Sequence, residues 1–365
     1  MDLSNALARD GHDVTIIAPH SLSSKGPLHA KTTRSDVPIV KVGNARLISI
    51  NKTAFEFSLA FGGELKKLNQ FLKSSNFDVV HLHTPLSPFL SMQILNRSTA
   101  ANVGTFHAVP PETASGPVQR VMYRILNRRI TARLDNVILA SAVQRDLFLD
   151  GIILPPCVDL RSFASDVTPL DSFKDERLNI LFVGRLEPRK GALVLLKAFA
   201  ELRQRSSNAR LLIAGEGSER FRLEYLTTRE QIPDVVFLGR VNGLDLPRLY
   251  ATCDIFCAPS IYGEGFGIVL VEAMASGKPI VAAANAGYKT VLHGEAASLL
   301  AKPGDPSDLC GKLETLITQP ALRFRVGEWG KREARRYDST ERLPAFLAVY
   351  EEAMRSRYRK TQSLR

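Results

Sequence analysis

Short apolar, β-branched runs alternate along the chain with longer amphipathic stretches. In the first half the apolar runs are Val14 to Ala18, Leu47 to Ile50, Val79 to Leu82, Val103 to Phe106 and Val137 to Ala140. In the second half they are Ile180 to Val183, Leu211 to Ala214, Val235 to Leu238, Ile255 to Ala258, Ile280 to Ala283 and Ser298 to Ala301. Several are apolar at every position, which predicts parallel strands covered on both faces. Stretches with helical spacing lie between them, such as Ala192 to Arg205. The βαβα order, met twice, predicts an α/β protein with two doubly wound sheets.

The break between the two series falls at Pro155 to Lys174. This segment holds Pro155, Pro156 and Pro169 and little apolar periodicity, so it reads as an interdomain connection. The expected domains are residues 1–160, 161–338 and a C-terminal helix in 339–365 that returns to the first domain. That helix is expected at about Arg342 to Tyr358.

Composition narrows this picture. A chain of 365 residues with 45% hydrophobic residues suits two globular cores better than one. No run reaches the roughly 18 uninterrupted apolar residues of a spanning helix. The opening Met1-Asp2-Leu3-Ser4-Asn5 lacks the basic then apolar pattern of a signal peptide. Cys157, Cys253, Cys257 and Cys310 show no metal-ligand spacing and read as reduced thiols of a cytoplasmic protein. The formal charge of +11 suggests an anionic partner: nucleic acid, a membrane surface or a phosphorylated substrate. A merely basic surface would give the same number.

The most specific chemistry is in the second half. Gly263-Glu264-Gly265-Phe266-Gly267-Ile268-Val269-Leu270-Val271-Glu272-Ala273 follows the strand Ile255 to Ala258 and the turn Pro259-Ser260. Gly265 and Gly267 let the backbone approach a ligand closely. A helix beginning near Gly267 turns its free N–H groups towards bound phosphate. Glu264 falls on the loop before the helix and Glu272 inside it, placed to meet a sugar and a ribose. An isolated pair at that spacing would more often be two surface glutamates on a capped helix.

A second motif changes that weighting. Gly184-Arg185-Leu186-Glu187-Pro188-Arg189-Lys190-Gly191 follows the strand Ile180 to Val183. Arg185 and Lys190 stand at the carboxyl edge of the sheet, where open α/β sheets bind ligands. Arginine grips phosphate through two parallel donors and lysine adds a point charge. Two fixed cations can stabilise a departing diphosphate without a metal. Gly215-Glu216-Gly217 is a further strand-end turn, and Phe237-Leu238-Gly239-Arg240-Val241-Asn242 could line a base pocket. Each is weak evidence alone.

Taken together, these motifs resemble the retaining GT-B glycosyltransferases of family 4. The resemblance rests on Gly184-Arg185 with Arg189-Lys190-Gly191, Ala214-Gly215-Glu216-Gly217, Phe237-Leu238-Gly239, Ala258-Pro259-Ser260, the Glu264 to Glu272 segment and Ala275-Ser276-Gly277-Lys278-Pro279-Ile280-Val281-Ala282. Within the family, that segment is most similar to bacterial phosphatidylinositol mannosyltransferases. So are Asp78-Val79-Val80-His81-Leu82-His83 and Thr105-Phe106-His107.

The resemblance implies a GT-B fold, two Rossmann-like domains facing a cleft. It implies a donor, a nucleotide-diphosphate sugar, held mainly by the second domain, and no cofactor or metal. Arg185 and Lys190 would hold the donor diphosphate, Glu264 the sugar hydroxyls and Glu272 the ribose. Gly184, Gly215, Val241, Gly265, Phe266, Gly267 and Ile268 would add donor contacts. His107 would face donor sugar and acceptor. No general base is assigned, because the family retains configuration with the leaving phosphate helping to deprotonate the acceptor. The implied reaction moves a hexose, mannose from GDP-mannose, to a lipid or polyol hydroxyl such as phosphatidylinositol. Asn242 stands near where a carboxylate would best read guanine, so a UDP donor stays open.

Other features carry less. His81 and His83 share a strand face but lack a third metal ligand, so packing or cleft lining is the better reading. Arg120, Arg124, Arg128, Arg129 and Arg133 recur at helical spacing, as do Lys66, Lys67 and Lys73. Basic amphipathic helices can lie on anionic lipid, at about 1 kcal/mol per cation. The inner face of the plasma membrane is therefore a candidate location, with a solvated surface helix at even odds. No aromatic platform accompanies the charge, which argues against nucleic acid.

The sequence departs from the family in two places: Pro155-Pro156-Cys157-Val158-Asp159 stands where an Asn-Gly pair is common, and the opening differs. Family members open with a strand and a Gly-Gly loop, whereas Met1 to Arg9 already reads as the helix that follows. The expectation is a misplaced start. Two rival readings stand beside the transferase: a nucleotide-sugar epimerase of the same fold, and a donor-binding pseudo-transferase.

Overall fold

The computed structural model describes residues 2–20, 37–50, 53–85, 90–107, 121, 125, 127–145, 151–163, 166–205 and 208–363. The chain forms two compact units. The first consists of Met1–Gly26, Ser35–Cys157 and Arg342–Arg365, and the second of Val158–Glu341 among the described residues.

In the second unit six parallel strands form one sheet in the order β10-β9-β8-β11-β12-β13. They are β8 (Leu178–Val183), β9 (Ala209–Ala214), β10 (Val235–Gly239), β11 (Ile255–Ala258), β12 (Ile280–Ala283) and β13 (Leu300–Ala301). Every position of β9, β11 and β12 is buried, which explains the unbroken apolar runs of β11, β12 and Leu211 to Ala214 in β9. The helix Ala192–Gln204 turns Leu195, Leu196, Phe199 and Leu202 inward, against Ile180, Leu211 and Ile213. The chain winds outward from β8 through β10, then returns to the other side of β8 as β11. The order therefore reverses between β8 and β11, and in open α/β sheets the crevice at such a switch point is where ligands bind.

The first unit has two sheets. β4 (Val79–His83), β5 (Ala101–Phe106), β6 (Asn136–Leu139) and β7 (Ile152–Ile153) are parallel, and β1 (Ile16–His20), β2 (Ile39–Ile50) and β3 (Thr53–Leu59) form the other. β1 runs parallel to β2, and β3 antiparallel to it. No ladder joins the two sheets among the described residues. The helix Ser339–Gln362 buries Leu343, Phe346, Val349, Tyr350 and Ala353 with Leu3, Ala6, Val103 and Ile138.

Several elements differ from the sequence expectation. β3 and the first half of β2 alternate apolar with polar residues, so a search for unbroken apolar runs passes over them. β13 shrinks to two residues because Ser298 and Leu299 close a 3-10 turn, Gly294–Leu299. The proline-rich segment is not a bare connection. It holds the 3-10 turns Leu160–Phe163 and Asp171–Phe173, and Phe163 is buried edge-on against Tyr250, with ring centroids 5.6 Å apart. One anchoring aromatic is enough to order it, and a single residue has no periodicity to detect.

The helix Gly62–Ser74 buries Leu68 and Leu72 and exposes Lys66, Lys67 and Lys73. Residues 127–131 are helical, and Arg128, Arg129 and Arg133 are exposed there, while Arg120 and Arg124 lie outside the described residues. Among the described residues no helix is long and apolar enough to cross a membrane. All four cysteines are free and buried.

Candidate active site

Two loops leave the carboxyl ends of β8 and β11, on either side of the switch point. The first carries Gly184 and Arg185, closes into the 3-10 turn Pro188–Lys190, and enters the next helix through Gly191. The second carries Ser260 and Glu264 and enters the helix Ile268–Ala275 through Gly267. The Ile261 N–H donates to the Arg189 carbonyl at 2.7 Å, which ties the loops together. Gly191 has φ +73°, and a Cβ there would stand 2.1 Å from the Pro259 carbonyl oxygen. Only glycine allows this approach.

The contact between the loops concentrates charge. Lys190 Nζ lies 2.7 Å and Arg189 Nη1 3.0 Å from the same oxygen, Oε1 of Glu264. Glu187, buried in the first loop, takes Arg185 at 2.7 Å on Oε1 and Arg189 at 3.3 Å on Oε2. Arg189 thus bridges both carboxylates. The Ser260 hydroxyl also bonds Glu264, and Tyr288 Oη donates to Ser260 Oγ at 3.0 Å. Three cations against two carboxylates leave a net +1.

Burial pushes the Glu264 carboxyl up, but Lys190 and Arg189 outweigh it and hold the group below the ordinary glutamate range. Burial draws the Lys190 ammonium below the ordinary lysine range, opposed by Glu264. Burial likewise lowers Arg185, which arginine's high starting value leaves charged. We regard Glu264 as ionised, because two cations share its oxygen.

The other expected donor residues occupy distinct places. Gly184, Gly215 and Gly239 interlock at the ends of β8, β9 and β10: Gly184 N–H donates to Ala214, and Gly215 N–H to Gly239. A Cβ on Gly215 would fall 1.8 Å from the Gly184 oxygen. Val241 is half-buried in the loop after β10. Asn242 accepts from the N–H groups of Leu244 and Asp245, so its side chain serves the entry of the helix Asp245–Thr252. Gly265 and Phe266 are buried, and Phe266 packs edge-on against Tyr337 at 5.2 Å. Ile268, the first helical residue, is exposed. Glu272 is 1% exposed and accepts a 3.0 Å hydrogen bond from Tyr250. It lies on the inward face of the helix Ile268–Ala275.

His107 belongs to the first unit, directly after β5. Its Nε2 lies 2.9 Å from Nδ1 of His83, with the ring planes 10° apart and the centroids separated by 5.2 Å, an edge-to-edge contact. His83 stacks in turn on His81 at 4.4 Å. Burial holds His107 down at about 4 and His81 at about 3. His83 keeps a solvent-exposed edge, yet dense packing and its two imidazole neighbours hold it well below the ordinary range. All three are neutral at physiological pH. No group of histidine, cysteine or carboxylate side chains among the described residues could hold a metal ion.

Arg185, Lys190 and Glu264 are therefore brought together, while Glu272 is buried against Tyr250. Sequence reasoning missed Arg189, Glu187, Ser260 and Tyr288 as parts of the site. Arg189 and Glu187 lie inside the motif that drew attention to Arg185, so the charge pattern was available as a signal. Nothing in the local pattern flags Tyr288.

Comparison with known proteins defines the class first. The fold is that of the GT-B glycosyltransferases. A glycosyltransferase from Rickettsia africae superposes with TM-score 0.71 at 18% identity, covering 97% of this chain and 93% of that one. Anabaena HepE, solved in complex with UDP and glucose, gives 0.69 at 20% identity, covering 86% of each chain. Residues 1–160 match the model for Glycosyltransferase Family 4, and residues 171–333 that for Glycosyl transferases group 1. The phosphatidyl-myo-inositol mannosyltransferase of Mycobacterium tuberculosis is 32% identical over 96% of this chain and 91% of its own. The D-inositol 3-phosphate glycosyltransferase of Xylanimonas cellulosilytica is 28% identical over 98% of this chain and 91% of its own. The chain belongs to the family-4 glycosyltransferases and is similar to the bacterial phosphatidyl-myo-inositol mannosyltransferases.

Proposed function

We propose that this glycosyltransferase moves mannose from GDP-mannose to a hydroxyl of phosphatidylinositol, with retention of anomeric configuration. The observation that carries the reading is the cluster of Arg185, Arg189, Lys190 and Glu264 at the switch point of the second unit's sheet. Similarity to phosphatidyl-myo-inositol mannosyltransferases over almost the whole chain supports the sugar and the acceptor.

In this reading Arg185 and Lys190 hold the donor diphosphate, and Glu264 accepts hydrogen bonds from the sugar hydroxyls. The N–H groups at Phe266, Gly267 and Ile268 meet the diphosphate at the helix start. The acceptor oxygen bonds to the anomeric carbon as the bond from that carbon to the diphosphate oxygen breaks. The acceptor proton passes to the departing phosphate, and GDP leaves. Charge growing on the diphosphate is met by Arg185 and Lys190, so the account requires no metal. His107 takes part as a neutral imidazole. Glu272 keeps Tyr250 on Oε2 and meets the ribose through its other carboxylate oxygen.

We also propose that the protein acts at an anionic membrane surface from the cytoplasmic side. The +11 charge, the exposed Arg128, Arg129 and Arg133, and the exposed Val121 and Ile125 on the same stretch of chain support this. The test is radiolabelled transfer from a panel of GDP- and UDP-sugars, with and without phosphatidylinositol vesicles. Lipid labelling from GDP-mannose supports the proposal. Labelling from a UDP-sugar alone, or of a soluble acceptor alone, refutes its donor or acceptor half.

A further inference from the structure

Four side chains form a connected path in the first unit that ends on His107. Tyr350, on the helix Ser339–Gln362, places its hydroxyl 2.8 Å from Nδ1 of His81. His81 Nε2 meets Thr105 Oγ1 at 2.7 Å, so both nitrogens of that ring are engaged. The His81 ring then serves as a fixed surface on which His83 stacks, 4.4 Å away and tilted by 28°. His83 Nδ1 reaches His107 Nε2 at 2.9 Å, with the two rings only 10° from parallel.

A neutral imidazole carries one N–H and one bare nitrogen. Two neutral rings that share a hydrogen bond must therefore take complementary roles at the facing nitrogens. If His83 donates, Nε2 of His107 is bare and its Nδ1 carries the proton. If His107 donates, its Nδ1 is bare. Either way, the state of His107 Nδ1 follows from the contact with His83. A ring with no such contact would turn about its side-chain bonds and populate both tautomers.

We infer that His83 is a positioning residue, which holds the His107 ring in one orientation and ties its tautomer to the complementary one on His83. His81, pinned by Tyr350 and Thr105, supports it from behind. The consequence for transfer rests on the function proposed above, whereas the effect on the His107 ring does not. A histidine whose role depends on one nitrogen needs that nitrogen fixed in advance.

Two substitutions separate positioning from packing. Asparagine places an amide group where His83 carries Nδ1, so His83→Asn can keep the hydrogen bond. His83→Leu fills the space without one. Nitrogen-15 NMR of the imidazoles should show Nε2 of His107 shifted by hydrogen bonding in the parent and in His83→Asn, and the shifts of a freely exchanging imidazole in His83→Leu. For transfer, His83→Leu should lower kcat by about tenfold to a hundredfold, as loss of a supporting hydrogen bond does elsewhere, with donor KM nearly unchanged. His83→Asn should recover most of it. Unchanged His107 nitrogen shifts in His83→Leu would overturn the inference, as would equal loss of kcat in both variants. If the parent transfers nothing, the proposed function fails, and the NMR comparison still decides the role of His83.

Discussion

Lys190 and Glu264, 74 residues apart in sequence, meet at 2.7 Å between Nζ and Oε1. Their side chains are 17% and 12% exposed, so the pair is largely out of water. Its position at the reversal of strand order follows from topology: the two residues lie on the loops that leave β8 and β11. Removing one partner of a buried pair costs about 3–5 kcal/mol when the other charge is left alone. Here Arg189 remains on Glu264, so Lys190→Met should cost less than that range. Chemical denaturation of the parent and variant measures it, and titration with GDP should show weakened binding.

Glu264→Gln changes the charge of the cluster from +1 to +2. The variant should be less stable than the parent without ligand. A nucleoside diphosphate, which brings negative charge, should raise its melting temperature at least as much as the parent's. Transfer should fall by about a hundredfold or more, the scale seen when one preorganised polar contact is lost. Thermal shift with GDP and a transfer assay read the two effects separately.

Arg189 is a structural bridge between Glu187 and Glu264. Arg189→Met leaves both carboxylates with one cation each and should destabilise the second unit by about 2–4 kcal/mol. Arg189→Lys supplies one ammonium in place of the guanidinium fork and should recover part of this. Denaturant unfolding of the three proteins provides the comparison.

Much of this arrangement was legible in the sequence. β11 and β12 are buried at every position and apolar throughout, as are Leu211 to Ala214 of β9, so these runs stood out. The glycines and prolines between them marked the loops that carry the charged cluster. Less was legible where structure depends on contacts distant in sequence. Glu272 occupies a motif position, but its side chain turns to Tyr250 because its helix face packs inward. The pairing of His83 with His107 needs β4 beside β5, a register that neither strand encodes by itself.

Gly191 and Gly294 separate two reasons for glycine. Both have positive φ, +73° and +59°, but a Cβ on Gly294 meets nothing within 4 Å. Gly294→Ala should therefore cost only the backbone term, about 1 kcal/mol. Gly191→Ala must also push Pro259 away and should cost clearly more, with loss of transfer. Equal melting temperatures for the two variants would contradict the close approach of the loops.

The buried histidines make a pH prediction. The folded pKa values of His81 and His107, about 3 and about 4, lie below the ordinary 6.5. The unfolded chain thus binds more protons across that interval, and stability falls as pH drops from about 6.5 towards 4. Glu264, lowered in the fold, loses its contribution only below the ordinary glutamate value, so the upper part of the window belongs to the histidines. Melting temperature against pH should show this slope, and His81→Gln should reduce it.

The central claim is that the charged cluster at the β8/β11 switch point binds the donor of a mannosyl transfer. The most direct measurement is mannose transfer from GDP-mannose to phosphatidylinositol vesicles, by the parent and by Glu264→Gln, with GDP binding followed for both. The account predicts lipid labelling by the parent, loss of labelling in the variant and GDP binding by both. Labelling undiminished in Glu264→Gln, or none by a parent that binds GDP tightly, would contradict it.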